Sequence, residues 1–358
     1  PYSPPTYSSL IRYLTSRYIS GRFHLVGHSM GGAIALRYAT RFPADIKSLA
    51  LIDAAGILHR LAYTKFLAPL GLEMLAGGAI PGGSAVSNIV GAILGKIERK
   101  NPIDPAHIHR NGLLRQALLK GDSTSISGLG LVLEDFRDAP PRVTMPTLII
   151  WGSQDQIAPV RTGYMLDALL SDSRLHIIDG AGHVPIKNNF NEYFAALQGH
   201  LSENAQRSNK AVAYPVGGKQ AEVRCQNSRN QQYSGRIGML IIDGCKQVEV
   251  KNAIVDQMII TDSYVEIVNT QIVNPDSTGL MVSNSNIVLT AGKIDAEVGI
   301  HVTSGRIDIA GTHIKGSQRA IQAMRPTEVI FSLVPVDSPL STEDMMHGVY
   351  VVRPEQPL

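Results

Sequence analysis

A recurrence constrains this chain more than any other feature. After residue 235, short aliphatic runs return about every 20 residues. Met239-Leu-Ile-Ile, Met258-Ile-Ile, Leu280-Met-Val, Ile300-His-Val and Ala320-Ile-Gln start 19, 22, 20 and 20 residues apart. A second series, beginning at Val248, Val265, Ile287, Ile307 and Val329, keeps step with the first, as does a third at Ile254, Ile272, Ile294 and Ile314. One repeat of three short strands cannot bury its own apolar side chains. It must stack on the same positions of its neighbours, which describes a parallel β-helix. A β-sandwich would need antiparallel hairpins with variable turns, and three in-phase series disfavour it. The spacing predicts that Gly279, Gly299 and Gly348 open repeats and that Asn252 and Asn269 occupy equivalent turns. It also predicts Lys293 on an exposed turn, and Val265, Ile287 and Ile307 in one buried ladder.

The two cysteines, Cys225 and Cys245, are 20 residues apart, one repeat. Stacked strands lie about 4.8 Å apart, which is within disulfide range, but the expectation is a pair of buried free thiols. Two cysteines in 358 residues exclude a disulfide scaffold and a four-cysteine zinc site.

Residues 1 to 203 have another texture, in which helical and strand patterns alternate. Tyr7, Leu10, Ile11, Leu14 and Tyr18 mark one helix face, and Phe23-His-Leu-Val follows as a short strand. Gly31 to Phe42 suits a helix that stops at Pro43. Further strands are expected at Ser48–Ile52, Thr147–Trp151 and Leu175–Ile178. A helix bears Met165, Leu166, Leu169 and Leu170, and a closing helix carries Phe190, Tyr193, Phe194, Leu197 and Leu201. Strands alternating with helices make a parallel sheet covered on both faces, an α/β architecture. The polar stretch 204–220 reads as a linker, so the expected domains are 1–203 and 221–358. With 44% apolar and 18% charged residues the chain can bury a core in each. Its net charge of +3 comes without a basic cluster, so no nucleic-acid partner is expected. No basic-apolar-small pattern opens the chain, so no signal peptide is expected within it.

The segment Gly27-His28-Ser29-Met30-Gly31 stands between an apolar strand and a helix. Glycines at 27 and 31 suit a turn too tight for side chains beside a serine. Such a turn lifts the Ser29 hydroxyl above the sheet and leaves the Met30 amide at a helix start, aimed at a developing oxyanion. A serine hydroxyl needs a base, and the base needs an orienting acid. Of 11 histidines, His183 stands out, in a Gly-rich loop just past a strand. Asp155, in Trp151-Gly-Ser-Gln-Asp, also follows a strand, and Asp53 after Ser48–Ile52 is the rival acid. All of them leave the carboxyl ends of parallel strands, where ligands sit in open α/β sheets.

At these residues the chain resembles the α/β-hydrolase superfamily, in its GHSMGG turn, its WGxxD segment and its AGHVP loop. The resemblance covers about residues 1–203 and implies Ser29, Asp155 and His183 as a catalytic triad in which no metal or cofactor takes part. It implies Met30 as one oxyanion donor, and a second donor in an upstream His-Gly loop that, with several strands, is missing here. The sheet is accordingly expected to expose an edge beside the serine. The implied substrate is a small carboxylic ester, with a carbon–carbon bond hydrolase and a vestigial, non-catalytic scaffold as the alternatives. Residues 54–142 are expected to form a cap. Its stretch 74–95 is uncharged for 22 residues, but two Gly-Gly pairs, Pro81 and Asn88 favour an apolar lid over a membrane span. Such a lid suits greasy acyl or alcohol groups. The repeat region resembles the right-handed parallel β-helices of pectate-lyase-like proteins. Without a paired acidic or basic cluster, it is expected to bind a protein or glycan, or to mediate oligomerisation.

Overall fold

The computed structural model of the chain describes residues 2–63, 105–202, 218 and 220–358. The chain divides into two compact units, Pro1–Lys210 and Ala211–Leu358.

The first unit is built on a parallel sheet of four strands, β1 (Phe23–His28), β2 (Ile46–Ile52), β3 (Thr147–Gly152) and β4 (Ser173–Ile178), paired in that order. Every residue of β3 is buried, as expected for an inner strand covered on both faces. Ala50, Ile52, Leu148, Ile150 and Ile178 pack with Ala181 and Tyr193 into one core cluster. β1 lies at one edge of this sheet, with Val26 exposed.

Helix α1 (Pro4–Tyr18) begins with prolines in its first turn, where the missing N–H costs nothing. The predicted apolar face of α1 is largely wrong. Leu10, Leu14 and Tyr18 are exposed, and Pro4 and Ser8 are buried instead. Polar groups hold α1 to helix α2 (Met30–Arg41): Thr15 Oγ1 lies 3.1 Å from Tyr38 Oη, and Arg41 donates to the Pro5 carbonyl at 2.7 Å. The closing helix, Phe190–Leu201, likewise buries Tyr193 but leaves Phe190 and Phe194 exposed, stacked on one another.

Between β2 and β3 the described residues form helices Pro105–Arg110, Gly112–Leu119 and Ser123–Val132. The last two start at Asn111 and Asp122, whose side chains accept backbone N–H groups of the first turn. The uncharged stretch 74–95 lies outside the described residues. Among the described residues no helix is long and apolar enough to cross a membrane.

The second unit is mostly strand: β5 (Gln220–Gln226), β6 (Gln232–Asp243), β7 (Val248–Thr261), β8 (Tyr264–Ser283), β9 (Ser285–Val302), β10 (Gly305–Ala310), β11 (His313–Ala323), β12 (Thr327–Asp337) and β13 (Met345–Val352). β5 to β9 pair in parallel in chain order. β9 then pairs with β10 through Ser285–Thr290 and with β11 through Lys293–Val302, and both of these pair with β12. Val248, Val265, Ile287, Ile307 and Val329 pair in succession and all are buried.

Several register details depart from the expectations. Leu240, not Met239, pairs with Met258, and Ile321, not Ala320, pairs with Ile300. Val255, not Ile254, pairs with Ile272. A slip of one residue turns a side chain to the other face, and Met239 and Ile254 are accordingly only half-buried. Gly348 opens no parallel repeat, because β13 runs antiparallel to β12 and Gly348 pairs with Phe331. Lys293 lies within β9, its ammonium 2.6 Å from Asp295, and the turn is formed by Ala291 and Gly292 at positive φ. Asn252 and Asn269 do sit at equivalent turns, both at positive φ, with the Asn269 amide donating to Asn252 Oδ1 at 2.7 Å. Cys225 and Cys245 form a disulfide, not free thiols, with Cα atoms 6.5 Å apart. They are not register neighbours, since Cys225 pairs with Ile242, but the turn after β6 brings Cys245 back beside it.

Candidate active site

Three strand ends build the site. β1 runs through Gly27 into a turn that admits no side chain there: a Cβ on Gly27 would stand 2.3 Å from the Gly31 carbonyl oxygen. At Gly31 itself a Cβ would meet nothing within 4 Å, so the expected crowding is absent at that position. The tight neighbour is Gly32, where a Cβ would lie 2.6 Å from Ala54 Cβ. Ser29 follows β1 with φ 54 and ψ −125, a conformation that costs a non-glycine residue about 1–3 kcal/mol. Surrounding hydrogen bonds hold it there. Its N–H donates to the Ile52 carbonyl at 2.9 Å, and its carbonyl accepts from Gly32 and Ala55 N–H at 2.9 and 3.2 Å. Met30 opens α2, whose first-turn N–H groups have no acceptor within the helix.

The loop after β4 carries His183, and the loop after β3 carries Asp155. His183 Nε2 lies 2.8 Å from Ser29 Oγ, and His183 Nδ1 lies 2.8 Å from Asp155 Oδ2. The other oxygen of Asp155 accepts the N–H groups of Ile157 and Ala158 at 2.7 and 3.0 Å. An ionised carboxylate only accepts, so the imidazole proton belongs on Nδ1 and the Nε2 lone pair faces the serine hydroxyl. The Asp155 side chain is 0% exposed and that of His183 is 11% exposed. The pair is screened from water, while Ser29 is half-buried.

Asp53 does not meet His183. It follows β2 at φ 43, fully buried, and its Oδ1 accepts the Gly152 N–H at 2.9 Å. Burial, then the charge of Asp155, pushes the Asp53 carboxyl up to about 9. Burial also raises the Tyr63 hydroxyl, with the charge of Asp155 adding to it.

Sequence reasoning missed His28. Its Nε2–H donates to the carbonyl of His183 at 2.6 Å, and the two rings stand 5.0 Å apart, so the residue before the serine ties down the loop that carries the base. Desolvation lowers the His28 imidazole below its usual value and keeps it neutral. Only adjacency to Ser29 hinted at this, because the partner lies 155 residues away.

Residues 2–190 match the alpha/beta hydrolase fold family. An uncharacterized protein of Mycobacterium bovis is 32% identical over 197 residues, 51% of this chain and 57% of that protein. Lipase 3 of a Moraxella species is 25% identical over 196 residues, 51% and 58% of the two chains. A monoacylglycerol lipase of Xenopus laevis is 31% identical over 176 residues, 45% and 49% of the two. The chain spans about half the length of the curated relatives it matches. Among solved structures, an esterase from Exiguobacterium antarcticum aligns with a TM-score of 0.39 at 23% identity, over 56% of this chain and 74% of that one. Because the family match runs over more than half of its length, the chain belongs to the alpha/beta hydrolase fold family.

Proposed function

We propose that the first unit is a serine hydrolase that cleaves carboxylic esters with an apolar acyl or alcohol group. One observation carries the reading: the unbroken chain of two 2.8 Å contacts from Ser29 Oγ through His183 to Asp155. In the proposed reaction Ser29 attacks the ester carbonyl while His183 Nε2 takes its proton. The oxyanion that forms meets the Met30 N–H. His183 then returns the proton to the departing alcohol, leaving an acyl group on Ser29. A water molecule, deprotonated by the same imidazole, releases the acid and restores the hydroxyl. Asp155 stays ionised, fixes the tautomer and stabilises the transient imidazolium. The lipase names of two relatives and the uncharged stretch 74–95 support apolar groups on the ester.

For the second unit we propose a parallel β-helix, with a linker at 204–220 separating it from a hydrolase domain of residues 1–203. Parallel pairing of residues about 20 apart supports the winding. Its proposed role is to bind a protein or glycan, or to join copies of the chain.

Turnover of p-nitrophenyl esters of increasing acyl length tests the hydrolase reading. The expected result is hydrolysis that rises with acyl length and falls by about 10⁴ to 10⁶ in Ser29→Ala. Turnover retained in that variant removes Ser29 from the chemistry.

A further inference from the structure

Asp53 takes no part in the proton chain, yet it is a fully buried carboxyl beside it. One oxygen is satisfied by the Gly152 N–H, and the other, Oδ2, has no hydrogen-bond partner among the described residues. Its neighbour is Asp155: Gly152 gives its N–H to Asp53 Oδ1 and accepts the Asp155 N–H on its carbonyl at 3.3 Å, and the charge of Asp155 is felt at Asp53. Two ionised carboxylates are both acceptors and cannot bond, and Asp53 is out of contact with bulk solvent. A single proton between them converts the clash into a hydrogen bond, as in any close carboxyl pair.

We infer that Asp53 is held as the neutral acid and donates its Oδ2–H to the Asp155 carboxylate, which makes it a positioning residue for the acid that orients His183. The inference rests on the serine hydrolase reading. It completes the donor set of Asp155. A carboxylate offers about four lone-pair sites. Ile157 N–H, Ala158 N–H and His183 Nδ1–H take three, and Asp53 supplies the fourth. Among the described residues, Tyr63 and His28 also feel the charge of Asp155, and burial keeps them protonated and neutral respectively, so neither competes for the negative charge. The raised value of Asp53 agrees with the neutral form. A fourth donor spreads the charge of Asp155 and lowers its basicity, leaving the imidazole proton on His183.

Two variants separate a donated hydrogen from mere packing. Asp53→Asn keeps both contacts, its amide oxygen on Gly152 and its N–H on Asp155. Asp53→Leu keeps similar volume and donates nothing. Without the fourth donor Asp155 becomes more basic and holds the imidazolium better, so His183 titrates at higher pH. The full chain, carbon-13-labelled at histidine, is titrated by NMR. The His183 resonance is expected to titrate in Asp53→Asn within about 0.3 pH unit of wild type, and in Asp53→Leu about one unit higher. The acidic limb of kcat/KM for p-nitrophenyl butyrate is expected to move in the same way. An Asn variant that shifts like Leu, or a Leu variant that does not shift, overturns the inference. Should the Leu variant fail to fold, infrared difference spectra of wild type against Asp53→Asn at neutral pH decide it. A protonated-carboxyl C=O band assigned to Asp53 supports the inference, and its absence sinks it. These signals need no turnover, so failure of the hydrolase reading appears separately, as a wild-type Ser29 that cleaves no ester.

Discussion

In the first unit, two strand ends carry non-glycine residues at positive φ, Ser29 and Asp53, and both side chains belong to the candidate site. In the second unit such residues are mostly Asn, at 227, 230, 252, 269 and 284, joined by Asp262, Gln247, Ala291 and Leu333. There the side chains serve the stack: Asn269 donates to Asn252, and Asn284 donates to Asp262 at 2.6 Å. Asn and Asp tolerate the left-handed region because their short polar groups bond locally, and serine has less excuse to be there. The same backbone device is therefore inexpensive where it repeats and strained where it lifts a hydroxyl. The positive-φ residues at strand ends of the first unit serve one place, around Ser29, and those of the second are spread over many turns. Chemistry is expected to be concentrated in single residues of the first unit, and stability to be shared by neighbours in the second.

After the loss of Ser29 itself, Asp155→Asn gives the largest expected effect. Ester turnover falls by about 10⁴ as the imidazole takes the wrong tautomer, while thermal unfolding of the second unit is unchanged. Asp53→Asn is expected to leave turnover near wild type, and the reverse ranking moves the orienting acid to the end of β2. Ile287→Asp attacks the other side of the comparison. It places a charge between Val265 and Ile307 without a partner and costs several kcal/mol. Hydrogen exchange should show the loss spreading through β7–β12 while β1–β4 stay protected. Loss of protection in β1–β4 as well breaks the division into independent units.

Replacing both Cys225 and Cys245 by Ser removes a closed loop of about 20 residues and is expected to cost the second unit about 3 kcal/mol. Denaturant unfolding followed in that unit measures it. A comparable effect is a slope with pH. The Asp53 carboxyl, raised from 3.8 to about 9, contributes stability that is complete below 3.8 and lost as pH rises through that window. Asn does not titrate, so the Tm of the first unit in Asp53→Asn should gain on wild type between about pH 5 and about pH 8. A Tm difference, variant minus wild type, that falls with rising pH contradicts the raised value. Thr303→Asp, at an exposed bend, is the smallest, within about 0.5 kcal/mol.

The ladder through Val265, Ile287 and Ile307 was legible because Val265-Glu-Ile and Ile307-Asp-Ile place a charge between apolar residues, and that alternation fixes which side chains face inward. At Met239-Leu-Ile-Ile four consecutive apolar residues carry no phase, and the expected register slipped by one. The α1 face was misread for a related reason. Periodicity marks an apolar stripe but not which stripe meets a partner, and polar contacts to Tyr38 and Arg41 set the rotation. Ser29, Asp155 and His183 each follow a strand within a short local pattern, so their convergence could be expected. The His28 contact with the His183 carbonyl and the inferred proton between Asp53 and Asp155 join distant segments, and no local pattern encodes either. The disulfide escaped because buried free thiols fit the same 20-residue spacing.

The central claim is that His183 activates Ser29. A fluorophosphonate probe reacts only with an activated serine, and peptide mass spectrometry locates the adduct. The account predicts labelling of the folded full chain at Ser29, abolished in Ser29→Ala and reduced by at least about 10³ in rate in His183→Ala. A folded chain left unlabelled at Ser29, or labelled equally well without His183, contradicts it.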